Sequence, residues 1–119
     1  MYLLSEEVKA RGPTIAKGWA GSLTMDAGQF CTNPGIAVII DSPEADVFVE
    51  AATAALSPVG AQTMLTDGLA QAYRAGRDRV AGVTGIQELL TSTCDLRNAT
   101  PYLFATTGKE WLDNEILGE

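Results

Sequence analysis

The chain has 119 residues, a formal net charge of -7 and 46% hydrophobic residues. That apolar fraction excludes a disordered polymer, the acidity opposes a phosphate backbone and so excludes nucleic acid as an expected partner, and the length allows one domain or less. There is no histidine, and the two cysteines follow a start that is not signal-like, which points to a reducing, cytoplasmic compartment.

Tyr2-Leu3-Leu4 reads as the end of a strand, and Ser5-Glu6-Glu7 as a capped turn. Gly12-Pro13 then breaks the pattern, with Pro13 suited to a first helical position. From there Ile15, Trp19, Leu23 and Ala27 recur every fourth residue, with Ala16 and Ala20 beside them. That spacing predicts a helix with one apolar face. Gly18 and Gly21 either mark close approach of this helix to a neighbour or are simply tolerated.

The helix runs into Gly28-Gln29-Phe30-Cys31-Thr32-Asn33-Pro34-Gly35. Glycines stand at both ends, and Pro34 fixes its own φ and biases Asn33 towards an extended conformation. Cys31 is therefore expected on a loop of restricted shape. Two roles stay open for it: a small apolar filler, or a nucleophile whose thiolate is stabilised. No histidine can pair with it, and the preceding helix C-terminus disfavours an anion. Activation would have to come from a base, a cofactor charge or another segment.

Ile36-Ala37-Val38-Ile39-Ile40 is continuously apolar, which predicts a strand covered on both faces and is far too short to span a bilayer. Asp41 or Ser42 caps a second helix with Pro43 in its first turn and Val47, Phe48, Ala51 and Ala55 on its core face. Ser57-Pro58 ends it, and Val59 to Leu65 is loop with a short extended piece at Thr63 to Leu65. Thr66 and Asp67 start a third helix, with a stripe of Leu69, Ala70, Tyr73 and Val80, closed by Gly82 or Gly85. Arg74, Arg77 and Arg79 form either an anion site or a solvated cationic face. Strands are expected at Ile86 to Leu90 and Tyr102 to Ala105, separated by the polar loop Thr91 to Thr100. Cys94 in that loop has nothing around it that suggests activation. Two cysteines without histidine are too few for a metal cage. Thr107-Gly108-Lys109-Glu110 is a capping-box pattern for a short helix carrying Trp111 and Leu112.

The order helix, strand, helix, helix, strand, strand, short helix is that of an α/β domain. A largely parallel sheet with helices on both faces is expected.

Gly28-Gln29-Phe30-Cys31-Thr32-Asn33-Pro34-Gly35 resembles the active-site loop of the aldehyde dehydrogenase superfamily. The likeness continues through Ser22-Leu23-Thr24 and Ala27, Ile36 to Ile39, Thr63-Met64-Leu65-Thr66 with Tyr73-Arg74, and Trp111 to Glu119. Phe30, Thr32 and Asn33 are most similar to the branch acting on 2-ketoglutarate semialdehyde. The resemblance covers nearly all of this chain and only part of a full member. It implies a piece of the nucleophile-bearing catalytic domain, also α/β, with the cofactor-binding domain absent.

What the resemblance implies can be placed residue by residue. Cys31 matches the nucleophile, whose thiolate attacks the aldehyde carbon to give a thiohemiacetal. Hydride then leaves to the nicotinamide of NAD or NADP, and water hydrolyses the resulting thioester to a carboxylate. The Cys31 N–H matches one donor to the oxyanion. Phe30 and Thr32 would line the aldehyde pocket, while Gln29, Asn33 and the glycines shape the loop. The family's glutamate base, the asparagine of its oxyanion hole and a G-x-G-x-x-G phosphate turn have no match here. Glu119 falls beside the family's ribose-binding glutamate and does not inherit its role.

The chain alone is therefore expected to be inactive and to bind neither NAD nor NADP tightly. A non-catalytic, stand-alone or degenerate structural module is the alternative. A thiol acyltransferase or hydrolase would need Lys9, Lys17 or Lys109 as base, and no motif brings any of them to Cys31. Open strand edges and apolar faces favour self-association into a dimer or higher species.

Overall fold

In the computed structural model, residues 1–118 are described, so Glu119 and the question of its role lie outside them. The chain divides into two compact units, Met1–Gly60 and Ala61–Glu119.

The first unit begins with strand β1 (Tyr2–Leu3) and helix α1 (Ser5–Thr24). The Gly12-Pro13 break appears as a kink rather than an end, because Arg11 sits at φ -150° and ψ 24° inside the helix. Proline lacks the N–H that would bond back across this turn. Val8, Gly12, Ala16, Trp19 and Ala20 are buried. Ile15 and Leu23, expected at the centre of the stripe, are only half-buried, so the face has rotated towards the small residues. Of the two readings of Gly18 and Gly21, simple tolerance holds, since both face open space. A Cβ at Gly12 would meet Val8 of the same helix at 3.4 Å and Phe48 at 3.9 Å, ordinary contact distances.

After the Cys31 loop come strand β2 (Val38–Ile39) and helix α2 (Pro43–Leu56). Ser42 is the N-cap, its hydroxyl accepting from the Ala45 N–H at 3.2 Å, with Pro43 next in line. The buried stripe of α2 is Phe48, Ala52 and Leu56, and Val47 is exposed. α1 and α2 pack on each other, with the Trp19 and Phe48 rings tilted at 36° and 5.8 Å between centroids.

The second unit holds strand β3 (Gln62–Thr63), helix α3 (Asp67–Ala81), strands β4 (Gln87–Leu90), β5 (Asn98–Ala99) and β6 (Leu103–Ala105), and helix α4 (Gly108–Asp113). Thr66 caps α3 through the Leu69 N–H at 3.1 Å, and Thr107 caps α4 through the Glu110 N–H at 3.2 Å. Gly82 closes α3. Leu69 is exposed rather than part of the stripe, and Ala70 is the buried residue of that helix.

The sheets correct the sequence expectation. Among the described residues there are three two-stranded sheets: β1–β2 is parallel, while β3–β5 and β4–β6 are antiparallel. The parallel pair β1–β2 is joined through α1, the long crossover such a pair needs, whereas β3 and β5 pair antiparallel although α3 lies between them. Between β4 and β6 the chain follows a polar loop instead of a helix, so it returns antiparallel. The run Ile36 to Ile40 keeps strand geometry only at Val38–Ile39. It is not covered on both faces: Ile36, Val38 and Ile40 are exposed.

Tyr73 on α3 stacks on Tyr102 at 5.1 Å and donates its hydroxyl to the Thr100 carbonyl at 3.1 Å. Burial chiefly, then the neighbouring Tyr102 and Cys94, push its phenol from 10.0 up to about 12. Its contribution to stability is complete below the unfolded value of 10.0 and is lost as pH rises towards about 12, because only the unfolded chain ionises in that window. The urea midpoint should therefore fall across this window, and Tyr73→Phe should flatten the fall. An equally steep fall in Tyr73→Phe would assign it to other groups.

Candidate active site

α1 ends at Thr24 with no basic residue in its last turn, so its terminal carbonyls need other donors. The Thr24 hydroxyl donates to the Ala20 carbonyl at 3.0 Å. The Asn33 amide donates to the Leu23 carbonyl at 3.0 Å and to the Gly28 carbonyl at 3.2 Å. One side chain thus ties the helix end to the far side of the loop.

Between these points the backbone turns left-handed at three successive residues, with φ of 48° at Asp26, 57° at Ala27 and 76° at Gly28. Glycine adopts this conformation freely, while Ala27 meets a cost of about 1–2 kcal/mol. A Cβ at Gly28 would also stand 3.3 Å from the Leu23 carbonyl oxygen. The left-handed run reverses the chain and delivers it to a tight turn. There the Asn33 N–H donates to the Phe30 carbonyl at 3.0 Å, leaving Cys31 and Thr32 as the two central residues. Just beyond, the Pro34 carbonyl accepts from the Trp19 indole N–H at 2.7 Å. Trp19 is 7% exposed, so the loop is anchored on the core of its own unit.

Phe30, Cys31 and Thr32 are contiguous and exposed on this turn. Cys31 is a free thiol. The N–H of Cys31 takes no part in the turn's own hydrogen bond. Sequence reasoning placed Trp19 on the apolar stripe and missed its indole anchor. The available signal was a tryptophan on the last turns of a helix leading into a proline loop, which does not specify a partner.

The other candidate groups lie in the second unit. Cys94 is also free but half-buried, its thiol donating to the Asn98 carbonyl at 3.1 Å. Arg74 donates to the Leu96 and Asn98 carbonyls at 2.9 and 3.2 Å. Arg77 donates to the Tyr102 hydroxyl at 2.7 Å, to the Ser92 carbonyl at 3.3 Å and to Asp78 at 2.6 Å, and lies 4.8 Å over the Tyr102 ring. Asp78 holds its guanidinium above the ordinary arginine value. Neither arginine is organised around an external anion. Arg97 likewise donates to the Met64 carbonyl at 2.9 Å and the Leu65 carbonyl at 2.8 Å. Among the described residues no cluster of histidine, cysteine or acid side chains could hold a metal ion, and no helix is long and apolar enough to cross a membrane.

Access alone should separate the two thiols. Iodoacetamide is expected to label Cys31 roughly tenfold faster than Cys94, because one thiol is open and the other is half-buried and engaged. Peptide mass spectrometry over time reads both rates. Equal rates would mean that the Cys94 loop opens as easily as the Cys31 turn is reached.

No family model matches the chain. It is 46% identical over 89 residues to alpha-ketoglutaric semialdehyde dehydrogenase 2 of Azospirillum brasilense, a match covering 75% of this chain and 17% of that protein. It is 30% identical to the alpha-ketoglutaric semialdehyde dehydrogenase of Acinetobacter baylyi, over 99% of this chain and 24% of that protein. The chain thus spans about a fifth of the length of these curated relatives.

Proposed function

We propose, from the premise that this chain belongs to the aldehyde dehydrogenase family, that it is the nucleophile-bearing part of an enzyme oxidising 2-ketoglutarate semialdehyde to the carboxylate. One observation carries the assignment: an exposed cysteine at the centre of a turn held by the Asn33 amide on the Leu23 and Gly28 carbonyls and by the Trp19 indole on the Pro34 carbonyl. A fixed thiol with open approach is what addition to a carbonyl requires.

In this mechanism the Cys31 thiolate adds to the aldehyde carbon. The C–S bond forms, the π pair moves to oxygen, and a thiohemiacetal oxyanion results. The Cys31 N–H, outside the turn's hydrogen bond, donates to that oxygen. Phe30 and Thr32, on either side, shape the aldehyde pocket.

The family's oxidation needs NAD or NADP as hydride acceptor. The described residues do not fit a dinucleotide. A diphosphate favours an uncapped helix N-terminus behind a glycine turn. Here α2 begins with its own Ser42 cap and Glu44 and Asp46 in its first turn. α3 begins with its Thr66 cap and Asp67, and α1 has Glu6 and Glu7 in that place. When bound, the nucleotide would accept the hydride; the described helix N-termini do not hold it, and no general base is assigned among the described residues. A cytoplasmic location, a small aldehyde substrate and self-association belong to the same proposal, with no nucleic-acid or membrane partner.

The test is an assay of the purified chain with semialdehyde and either nucleotide. No reduced nucleotide should form. Steady formation would show that this chain alone supplies base and cofactor site, against the proposal.

A further inference from the structure

We propose that Ala27 is a positioning residue for Cys31: it confines the entry to the reactive turn to one narrow backbone conformation, at a cost in stability. This rests on the reading of Cys31 as the nucleophile and adds a residue upstream of it. Asp26, Ala27 and Gly28 take positive φ in succession, and only the last is glycine. Ala27 lies at φ 57° and ψ 32°, and Asp26 at φ 48° and ψ 44°. For a residue with a Cβ the left-handed well is about 20° wide in φ and about 30° in ψ, and it is costly to occupy. Gly28, at φ 76°, stands outside it. Glycine would adopt the angles of Ala27 without that cost. Ala27 is half-buried and outside the core, so packing of its methyl recovers little of it.

The strain is held from both sides of Ala27. Before it, the Asp26 carbonyl accepts from the Gln29 N–H at 3.1 Å and from the Gln29 side-chain amide at 2.9 Å. After it, the Gly28 carbonyl accepts from the Asn33 amide, which also reaches back to Leu23. A strained backbone persists only where its surroundings over-determine it, and such places cluster where a reacting group has to be set in position. The turn that carries Cys31 begins at Phe30, directly downstream of this run.

Alanine supplies narrowness that glycine cannot. With φ held positive by these bonds, an alanine has one small well, while a glycine has a broad one that runs on into extended conformations. Rotation at residue 27 carries the chain that follows it, Cys31 included, as far as the Asn33 clamp allows. A misplacement of about 1 Å at an attacking atom is enough to slow a reaction about 100-fold. The left-handed run therefore exchanges some stability of the fold for a fixed thiol.

Two replacements relieve the same strain and differ in the width they allow. Ala27→Gly opens the broad well, whereas Ala27→Asn favours the left-handed region and keeps a Cβ that confines it. Both should leave the urea midpoint of the whole chain unchanged or raised. Amide exchange in residues 29–33 should quicken about fivefold or more in Ala27→Gly and stay within about twofold of wild type in Ala27→Asn. With the chain grafted into the Acinetobacter baylyi dehydrogenase in place of the segment it matches, Ala27→Gly should lower kcat about tenfold with KM unchanged, and Ala27→Asn should restore it. A purely structural role would move the two variants together. Equal exchange in both, read on the chain itself, would overturn the proposal whatever the graft does. So would a lower midpoint in both, which would mean that Ala27 bears no strain, or wild-type kcat in the Ala27→Gly graft. Cys31→Ser separates this from the reading beneath it. Activity lost in Cys31→Ser and kept in Ala27→Gly removes the positioning role alone, and activity kept in Cys31→Ser removes both.

Discussion

Grafted into the Acinetobacter baylyi dehydrogenase in place of the segment it matches, this chain is expected to support semialdehyde oxidation, and Cys31→Ser is expected to abolish it. The graft supplies the base and cofactor site that the described residues do not offer. The loss should be about 10³-fold or more in kcat, the scale seen when an attacking atom is replaced by a poorer one. Serine keeps the size of the side chain and its place in the turn between Phe30 and Asn33, so folding is not the cause. Cys94→Ser should change kcat little, since that thiol donates to the Asn98 carbonyl within its own loop. A Cys31→Ser graft retaining activity within about tenfold of its parent would remove Cys31 from the chemistry. A correctly assembled but inactive graft would favour a degenerate module.

Trp19→Ala should strongly destabilise the first unit, by about 3–5 kcal/mol in urea unfolding. The side chain is 7% exposed and packs on Phe48, so its removal leaves a cavity between α1 and α2. Trp19→Phe separates packing from anchoring. It keeps a ring against Phe48 and removes the N–H that holds the Pro34 carbonyl. We expect about 1 kcal/mol from the lost hydrogen bond, together with faster amide exchange in residues 29–35. If exchange there were unchanged, Asn33 alone would be holding the loop.

The parts of this fold legible in the sequence are those governed by neighbours along the chain. Ser42, Thr66 and Thr107 were readable as caps because each precedes its own first turn and bonds to a group three residues on. The Cys31 loop was readable because glycine and proline restrict the backbone locally. The direction of strand pairing was not, because short apolar runs carry no record of their partner; β4 and β6 look alike whether they pair parallel or antiparallel. Arg74 and Arg77 were readable as cations, but not as donors to carbonyls more than a dozen residues away.

Those arginines have a consequence for how the second unit responds to ionic strength. Arg74 and Arg97 spend their guanidinium hydrogens on the carbonyls of Leu96, Asn98, Met64 and Leu65. A carbonyl carries a dipole and no net charge, so a hydrogen bond to it is less sensitive to screening than an attraction between two exposed charges. Added salt therefore weakens the 3.7 Å pairing of Arg97 with Asp67 more than it weakens the carbonyl contacts.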